Sequence, residues 1–356
     1  MKEDDLPALT PLTPRLRAGG NELEATRTGL DGDVALDFPG LTLVPRTVST
    51  ITTRAAVRSE VVLGDAVLQG PLIGSPMPDV CGPAMCRTLA ELGCLGVLHR
   101  FQSVAAQVEQ FLEATTGLAA GQAVGAAVGV VGDFQERFSA LHAAGCRIVC
   151  LDTANGAHVQ VGEAIDWVRA TAPDTFVIAG NVASAEGFRW LEDRGADAIR
   201  VGIAGGALCE TRTETGVYVP TPQAVMEAVS ARRRALVIGD GGVRNPGDMC
   251  KLLALGADAV MLGSALAGTR ESTGREVVMR GRTYKVVRGA ASLSVQLEMG
   301  RSDPKHVEGT ETLVASKGDA AEVVHRYLAG LRSSMAYMDA HDLAQYRRNV
   351  SFLRLP

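Results

Sequence analysis

Ala198-Ile199-Arg200-Val201-Gly202-Ile203-Ala204-Gly205-Gly206-Ala207-Leu208-Cys209-Glu210-Thr211-Arg212 is a short apolar strand that runs into a glycine-rich loop carrying a cysteine. Glycine accepts backbone conformations that other residues avoid, so such a loop turns tightly and brings main chain close to a ligand. A thiol held there, with Arg212 nearby, is placed to act as a nucleophile rather than to fill a core. The stretch belongs to a regular alternation. Short apolar runs lie at 71–75, 96–98, 123–131, 147–151, 176–179, 198–201, 235–239 and 259–262. Amphipathic stretches such as 105–114, 163–170, 185–194 and 246–255 separate them. Eight strand–helix units without a break in composition predict an α/β fold, a closed (β/α)8 TIM barrel, in preference to an open doubly wound sheet. The chemistry of such barrels sits in the loops after the strands.

Composition sets the class. The chain has 356 residues, 46% hydrophobic, with 40 glycines and a net charge of −5. The mild acidity and the 4% aromatic content speak against nucleic-acid binding. No apolar run approaches the roughly 20 residues that span a bilayer. The charged N-terminus is unlike a signal peptide. Seven cysteines, scattered without metal-ligand spacing, suggest reduced thiols, a cytoplasmic location and no metal site. Residues 1–35 read as a polar, turn-rich arm, and 36–356 as one catalytic barrel domain. Within it, residues 269–316 form an Arg- and Gly-rich flap insertion after the eighth strand, followed by a helix around 320–331.

The remaining strand ends carry the polar residues. Gly239-Asp240-Gly241-Gly242, and Leu262-Gly263-Ser264 on the next strand, look like a phosphate cradle of backbone N–H groups with a serine hydroxyl. Asp240 is suited to ribose hydroxyls. Asp152 and Asn155 follow strand four, Gly180-Asn181 ends strand five, Ser75-Pro76-Met77 strand one and His99-Arg100 strand two. These are candidates for ligand contact. Tight turns at Gly241-Gly242 and helix caps at Asp152 and Asn181 are the competing readings.

With these loops assembled, the chain resembles the IMP dehydrogenase/GMP reductase family. Six segments carry the resemblance in family order: 71–77, 179–182, Cys209-x-Thr211-Arg212, 239–242, 261–264 and 330–333. The resemblance implies a purine nucleoside monophosphate substrate, attacked at C2 by Cys209, with Thr211 and Arg100 as its catalytic companions. It implies that Ser75, Met77, Gly206, Asp240, Gly241, Gly242, Gly263 and Ser264 hold the nucleotide. Arg288, Gly289 and Glu308 would border the base. Asp152, Asn155, Asn181 and Gly202 would lie on the nicotinamide side. A monovalent cation at the Cys209 loop, a homotetramer and a flap at 300–311 that closes on nucleotide are also implied.

Within the family, two absences point to the GMP reductase branch. Residues 104–121 leave no room for an inserted regulatory domain, and residues 300–305 lack the Arg-Tyr pair of the dehydrogenase flap. Arg100 also stands where reductases keep a lysine. The resulting expectation is reductive deamination of GMP, or of a modified guanine nucleotide such as a 7-deazaguanine nucleotide, with NADPH. NAD-dependent oxidation of IMP and a non-catalytic nucleotide-binding protein are the alternatives. Four positions depart from the family pattern. Leu293 replaces a reductase glutamate, so that Glu210, Glu214 or Glu298 would have to substitute. Ala204 and Ala207 replace glycine and serine. Val287 replaces an aromatic phosphate ligand.

Overall fold

The computed structural model describes residues 35–289, 291–298, 307 and 309–355. Eight parallel strands close into a barrel: β1 Leu72–Gly74, β2 Leu95–Leu98, β3 Val124–Val128, β4 Ile148–Asp152, β5 Phe176–Val182, β6 Ala198–Val201, β7 Leu236–Asp240 and β8 Ala259–Leu262. Pairing of β8 with β1 makes the closure, with Val260 opposite Leu72 and Leu262 opposite Gly74. The strands are apolar because both of their faces are covered, by helices outside and by the other strands inside. These are the eight runs read from the sequence.

The surrounding helices are α1 Pro83–Glu91, α2 Val104–Thr115, α3 Phe134–Ala143, α4 Val159–Thr171, α5 Ala185–Asp193, α6 Thr221–Ala231, α7 Pro246–Ala254 and α8 Ala320–Tyr337. Local chemistry starts them where it should. Ser103, Ser184 and Asn245 cap α2, α5 and α7 by accepting from the N–H groups of Ala106, Gly187 and Asp248 at 3.2, 3.1 and 3.0 Å. Pro83 and Pro246 occupy the first helical position, where a missing N–H does no harm. Gly330 of α8 faces Pro246, and a Cβ there would come within 2.5 Å of the ring, so the glycine lets α8 pack closely on α7.

Three features were not legible in the strand–helix alternation. A hairpin of Val61–Leu63 and Ala66–Leu68 buries Leu63 and Leu68, and its turn at Gly64 packs on Phe176, the first residue of β5. Leu41–Val44 pairs antiparallel with Ser351–Arg354, joining the two ends of the described chain. The insertion after β8 is regular rather than loop: Glu276–Met279, Arg282–Arg288 and Glu311–Ala315 form a three-stranded antiparallel sheet. Its first turn places Arg280 and Gly281 in the left-handed region, as a two-residue hairpin turn requires. Residues 1–34 of the arm, and most of the flap at 300–311 including Glu308, lie outside the described residues. No described helix is long and apolar enough to cross a membrane.

Candidate active site

The barrel mouth is organised by a charge inside it. Arg200 on β6 is buried, and its neighbours in register are Gly180 on β5 and Ile238 on β7. One terminal nitrogen donates to Asp152 Oδ1 at 2.6 Å. Its Nε and other terminal nitrogen donate to Asp240 Oδ2 at 3.0 and 2.9 Å. Arg100 Nε reaches the second oxygen of Asp152 at 3.3 Å, and Asn181 Nδ2 donates to Asp240 Oδ2 at 2.8 Å. Five polar side chains, from the loop after β2 and from β4, β5, β6 and β7, are thereby one network. Burial alone would raise the Asp152 carboxyl, but the charges of Arg200 and Arg100 outweigh it and hold the group below the ordinary carboxylate range. Burial likewise works against the Arg200 cation, and Asp240 and Asp152 more than offset it. Neither Asp152 nor Asn181 caps a helix: His158 and Ser184 take those positions.

Arg200 is the residue that sequence reading missed. It lies inside an apolar strand, where a charge is itself a signal, because buried charges are nearly always paired. Asp79, after β1, was missed as well. It is buried and binds Arg288 through three hydrogen bonds of 2.8 Å, from the backbone N, Nε and a terminal nitrogen. The other terminal nitrogen of Arg288 meets Glu298 at 2.6 Å. The Arg288 guanidinium is thus engaged in tying the inserted sheet to the β1 loop. His99, at the end of β2, is pushed down to about 4 by burial, so its ring is neutral at pH 7.

The cysteine loop folds as a tight turn in which Cys209 N donates to Gly206 O at 3.1 Å. The Cys209 thiol donates to the Thr211 hydroxyl at 3.2 Å. Cys209 is partly exposed, whereas the other six cysteines are buried. Burial pushes Cys94 and Cys146 up to about 12 and Cys150 and Cys250 up to about 11, and raises Cys86 as well. Those thiols are unreactive at neutral pH. Ala204, where the family has glycine, sits at φ +60, a left-handed conformation that strains a residue with a Cβ. Ala204→Gly is therefore expected to raise the thermal midpoint by about 2 °C, since the relieved strain of ~1–2 kcal/mol exceeds the added chain entropy. A lowered midpoint in differential scanning calorimetry would count against it.

Close backbone approach joins this loop to the glycines of β7. Gly241 and Gly242 have φ of +97 and +78, and a Cβ on Gly241 would lie 3.2 Å from the Gly205 carbonyl carbon. A Cβ on Gly202 would meet the Asp240 carbonyl oxygen at 1.9 Å, so that glycine has a packing reason of its own. Ser75, Met77 and Gly263 converge where β1 meets β8: a Cβ on Gly263 would be 2.8 Å from Met77 Sδ and 3.6 Å from Ser75 Cβ. Ser264 follows directly and is exposed. Asn155 stands on the rim, exposed, accepting from Ala157 N at 3.2 Å. From the inserted sheet, Gly309 bridges to Cys209 and Ser292, and Gly289 packs on the Leu208 carbonyl oxygen. Cys209, Asp240, the glycine loops and the insertion therefore share one mouth.

A family model described as "IMP dehydrogenase / GMP reductase domain" matches residues 35–356. The chain is 43% identical to "Inosine-5'-monophosphate dehydrogenase" of Aquifex aeolicus (strain VF5), over 65% of this chain and 49% of the relative. The proteins of the same name from Streptococcus pyogenes and Bacillus subtilis (strain 168) are each 41% identical over 65% of this chain, and 50% and 49% of their own lengths are covered. The chain spans about half the length of the curated relatives it matches. These names overturn the reductase-branch expectation, and with it GMP or a 7-deazaguanine nucleotide as substrate, reductive deamination and NADPH. That expectation rested on missing insertions. An insertion changes a surface loop and leaves the barrel site intact, so its absence does not report the direction of the reaction. Leu293, exposed at the start of a short helix where reductases carry glutamate, is at odds with the reductase reading too. By the match over residues 35–356, the chain belongs to the IMP dehydrogenase/GMP reductase family.

Proposed function

We propose that this protein oxidises a purine nucleoside monophosphate, IMP, at C2 with NAD as the electron acceptor. The observation that carries the reading is the Cys209 thiol, hydrogen-bonded to Thr211, in the mouth where the Asp240 network and the glycine loops converge. Cys209 would add its sulfur to C2, while the Thr211 hydroxyl, as acceptor for the thiol proton, aims it. Asp240 presents a free oxygen to the ribose hydroxyls: Oδ2 takes all three of its donors, and Oδ1 takes none among the described residues. Gly242, Gly263 and Ser264 would hold the phosphate with main-chain N–H groups, and Ser75, Met77, Gly206 and Gly241 would line the nucleotide.

The dinucleotide side fits what is present. Asp152 and Asn181 are kept charged or oriented by Arg200, Arg100 and the Gly202 carbonyl, and Asn155 stands open on the rim. When bound there, NAD would supply an acceptor for the C2 hydrogen and its bonding pair, taken together as hydride. Water would then form the C2–O bond as the C2–S bond breaks, which returns the Cys209 thiol and frees the oxidised product.

Incubation with IMP and NAD should raise the absorbance of reduced dinucleotide, and NADPH with GMP should be left unconsumed. No reduction of NAD under any nucleotide would end this reading. Inosine is expected to bind at least about 100-fold more weakly than IMP, since the cradle supplies several hydrogen bonds to a charged group. Asp240→Asn should weaken both by a similar factor. Equal affinity for inosine and IMP would reduce the glycine loops to simple turns.

A further inference from the structure

The inserted sheet reaches the cysteine loop through main chain. Gly289 N donates to the Thr310 carbonyl at 2.9 Å, and Thr310 N donates to the Leu208 carbonyl at 3.2 Å. A Cβ on Gly289 would stand 2.9 Å from that same Leu208 oxygen, so the strand end and the residue before Cys209 are in close contact. Arg288, the residue before Gly289, holds the strand end in place. Its three hydrogen bonds to Asp79 are each 2.8 Å long and use both carboxylate oxygens. A fork of this kind fixes direction as well as distance.

Asp79 is itself fixed. It sits in a turn where the N–H groups of Val80 and Cys81 donate to the Met77 carbonyl at 3.0 and 3.1 Å, and both of those side chains are buried in the core. Its side chain is 6% exposed, against 63% for Glu298, the other carboxylate on Arg288. An exposed ion pair contributes little, so the buried fork carries the tie. A tie that served only to secure the sheet could lie anywhere along it. Lys285 already anchors the middle of the same strand, donating to the Arg270 carbonyl at 2.9 Å. The Asp79 tie is placed at the end that touches Leu208.

We infer that Asp79 is a positioning residue for Cys209: by holding Arg288 it fixes Gly289 and Thr310 against the Leu208 carbonyl, and so sets where the thiol stands. A rigid turn of the barrel is joined to the strand end, and the strand end to the cysteine loop. The inference rests on the reading that Cys209 is the reacting thiol.

Thiol alkylation with iodoacetamide and turnover of IMP, measured on the same samples, test it. Asp79→Asn keeps the shape of the side chain and loses its charge. In this variant Cys209 should be modified several-fold faster than in the wild type, while the six buried cysteines stay protected. Turnover should fall at least about tenfold with IMP affinity changed by less than about threefold, because the reacting atoms are misplaced and the phosphate is held elsewhere. A purely structural role would instead lower the thermal midpoint and leave the folded molecules with wild-type labelling and turnover. Asp79→Leu combined with Arg288→Met removes the tie without leaving a buried charge unpaired, so it keeps the fold and should behave as the single variant does. Labelling at the wild-type rate in both variants overturns the inference, as does wild-type turnover in the double variant. If the wild type itself reduces no NAD with IMP, the proposed reaction falls, and the labelling rates still decide whether Asp79 positions Cys209.

Discussion

Cys209→Ala is expected to lower turnover of IMP by about 10³-fold or more while IMP affinity stays within about tenfold, because in the proposed reaction the thiol takes part in covalent chemistry and not in holding phosphate. Its partial exposure and its hydrogen bond to Thr211 set it apart from six buried thiols. A thiol reagent should accordingly modify Cys209 first, and bound IMP should slow the reaction. Rapid-quench turnover and peptide mapping measure both effects. Unchanged turnover in the alanine variant would remove covalent attack by Cys209. Labelling first at one of the buried cysteines would remove its special reactivity.

The second large effect is structural and lies at Arg200. Its side chain is 7% exposed and neutralises Asp152 and Asp240, which are 15% and 13% exposed. Arg200→Met retains much of the apolar volume but leaves two largely covered carboxylates with only Arg100 and Asn181 as partners. Breaking a buried pair from one side destabilises by about 3–5 kcal/mol, which lowers the thermal midpoint by about 10 °C. The pH dependence follows from the direction of the Asp152 shift. In the wild type its pKa is lower folded than unfolded, so its contribution is present above the unfolded value, near 4, and is lost as pH falls through the folded value. Without Arg200 only Arg100 is left to oppose burial, so the folded pKa of Asp152 is higher than in the wild type. Asp152 then contributes less stability at neutral pH than in the wild type, and the difference fades as the carboxyl is protonated in both. The deficit of Arg200→Met should therefore be greatest at pH 7 and shrink toward pH 4.5. A deficit that widens on acidification would mean that Arg200 does not set the charge of Asp152.

The two results test different levels of the same site. Asp240 is held by Arg200 and Asn181, and the Cys209 loop is held by the glycines beside Asp240. Arg200→Met is thus expected to weaken IMP binding as well, whereas Cys209→Ala should leave stability nearly unchanged, since a partly exposed thiol contributes little packing.

Some of this was local information, and local information survives in a sequence. The eight barrel strands coincide with eight apolar runs because a strand covered on both faces must be apolar along its length. Caps at Ser103, Ser184 and Asn245 follow from the same short-range chemistry. The glycines of the Cys209 and Asp240 loops mark close backbone approach, and the predicted site residues that are described do gather at one end of the barrel. The direction of the redox chemistry was not legible, because insertions alter surface loops and leave the barrel site unchanged.

What the sequence by itself determined, then, is the barrel, the placing of Cys209, Asp240, Gly263 and Ser264 after its strands, and the family. Only the tertiary structure decided what joins them. Arg200 lies 48 residues from Asp152 and 40 from Asp240, and only the parallel register of β4 to β7 brings the three together. The same holds for Asp79 and Arg288, 209 residues apart, which fasten the inserted sheet over the Cys209 loop. Hydrophobic periodicity reports which face of an element is buried, whereas pairing between buried charges depends on strand register and barrel closure, and neither is written in any local window.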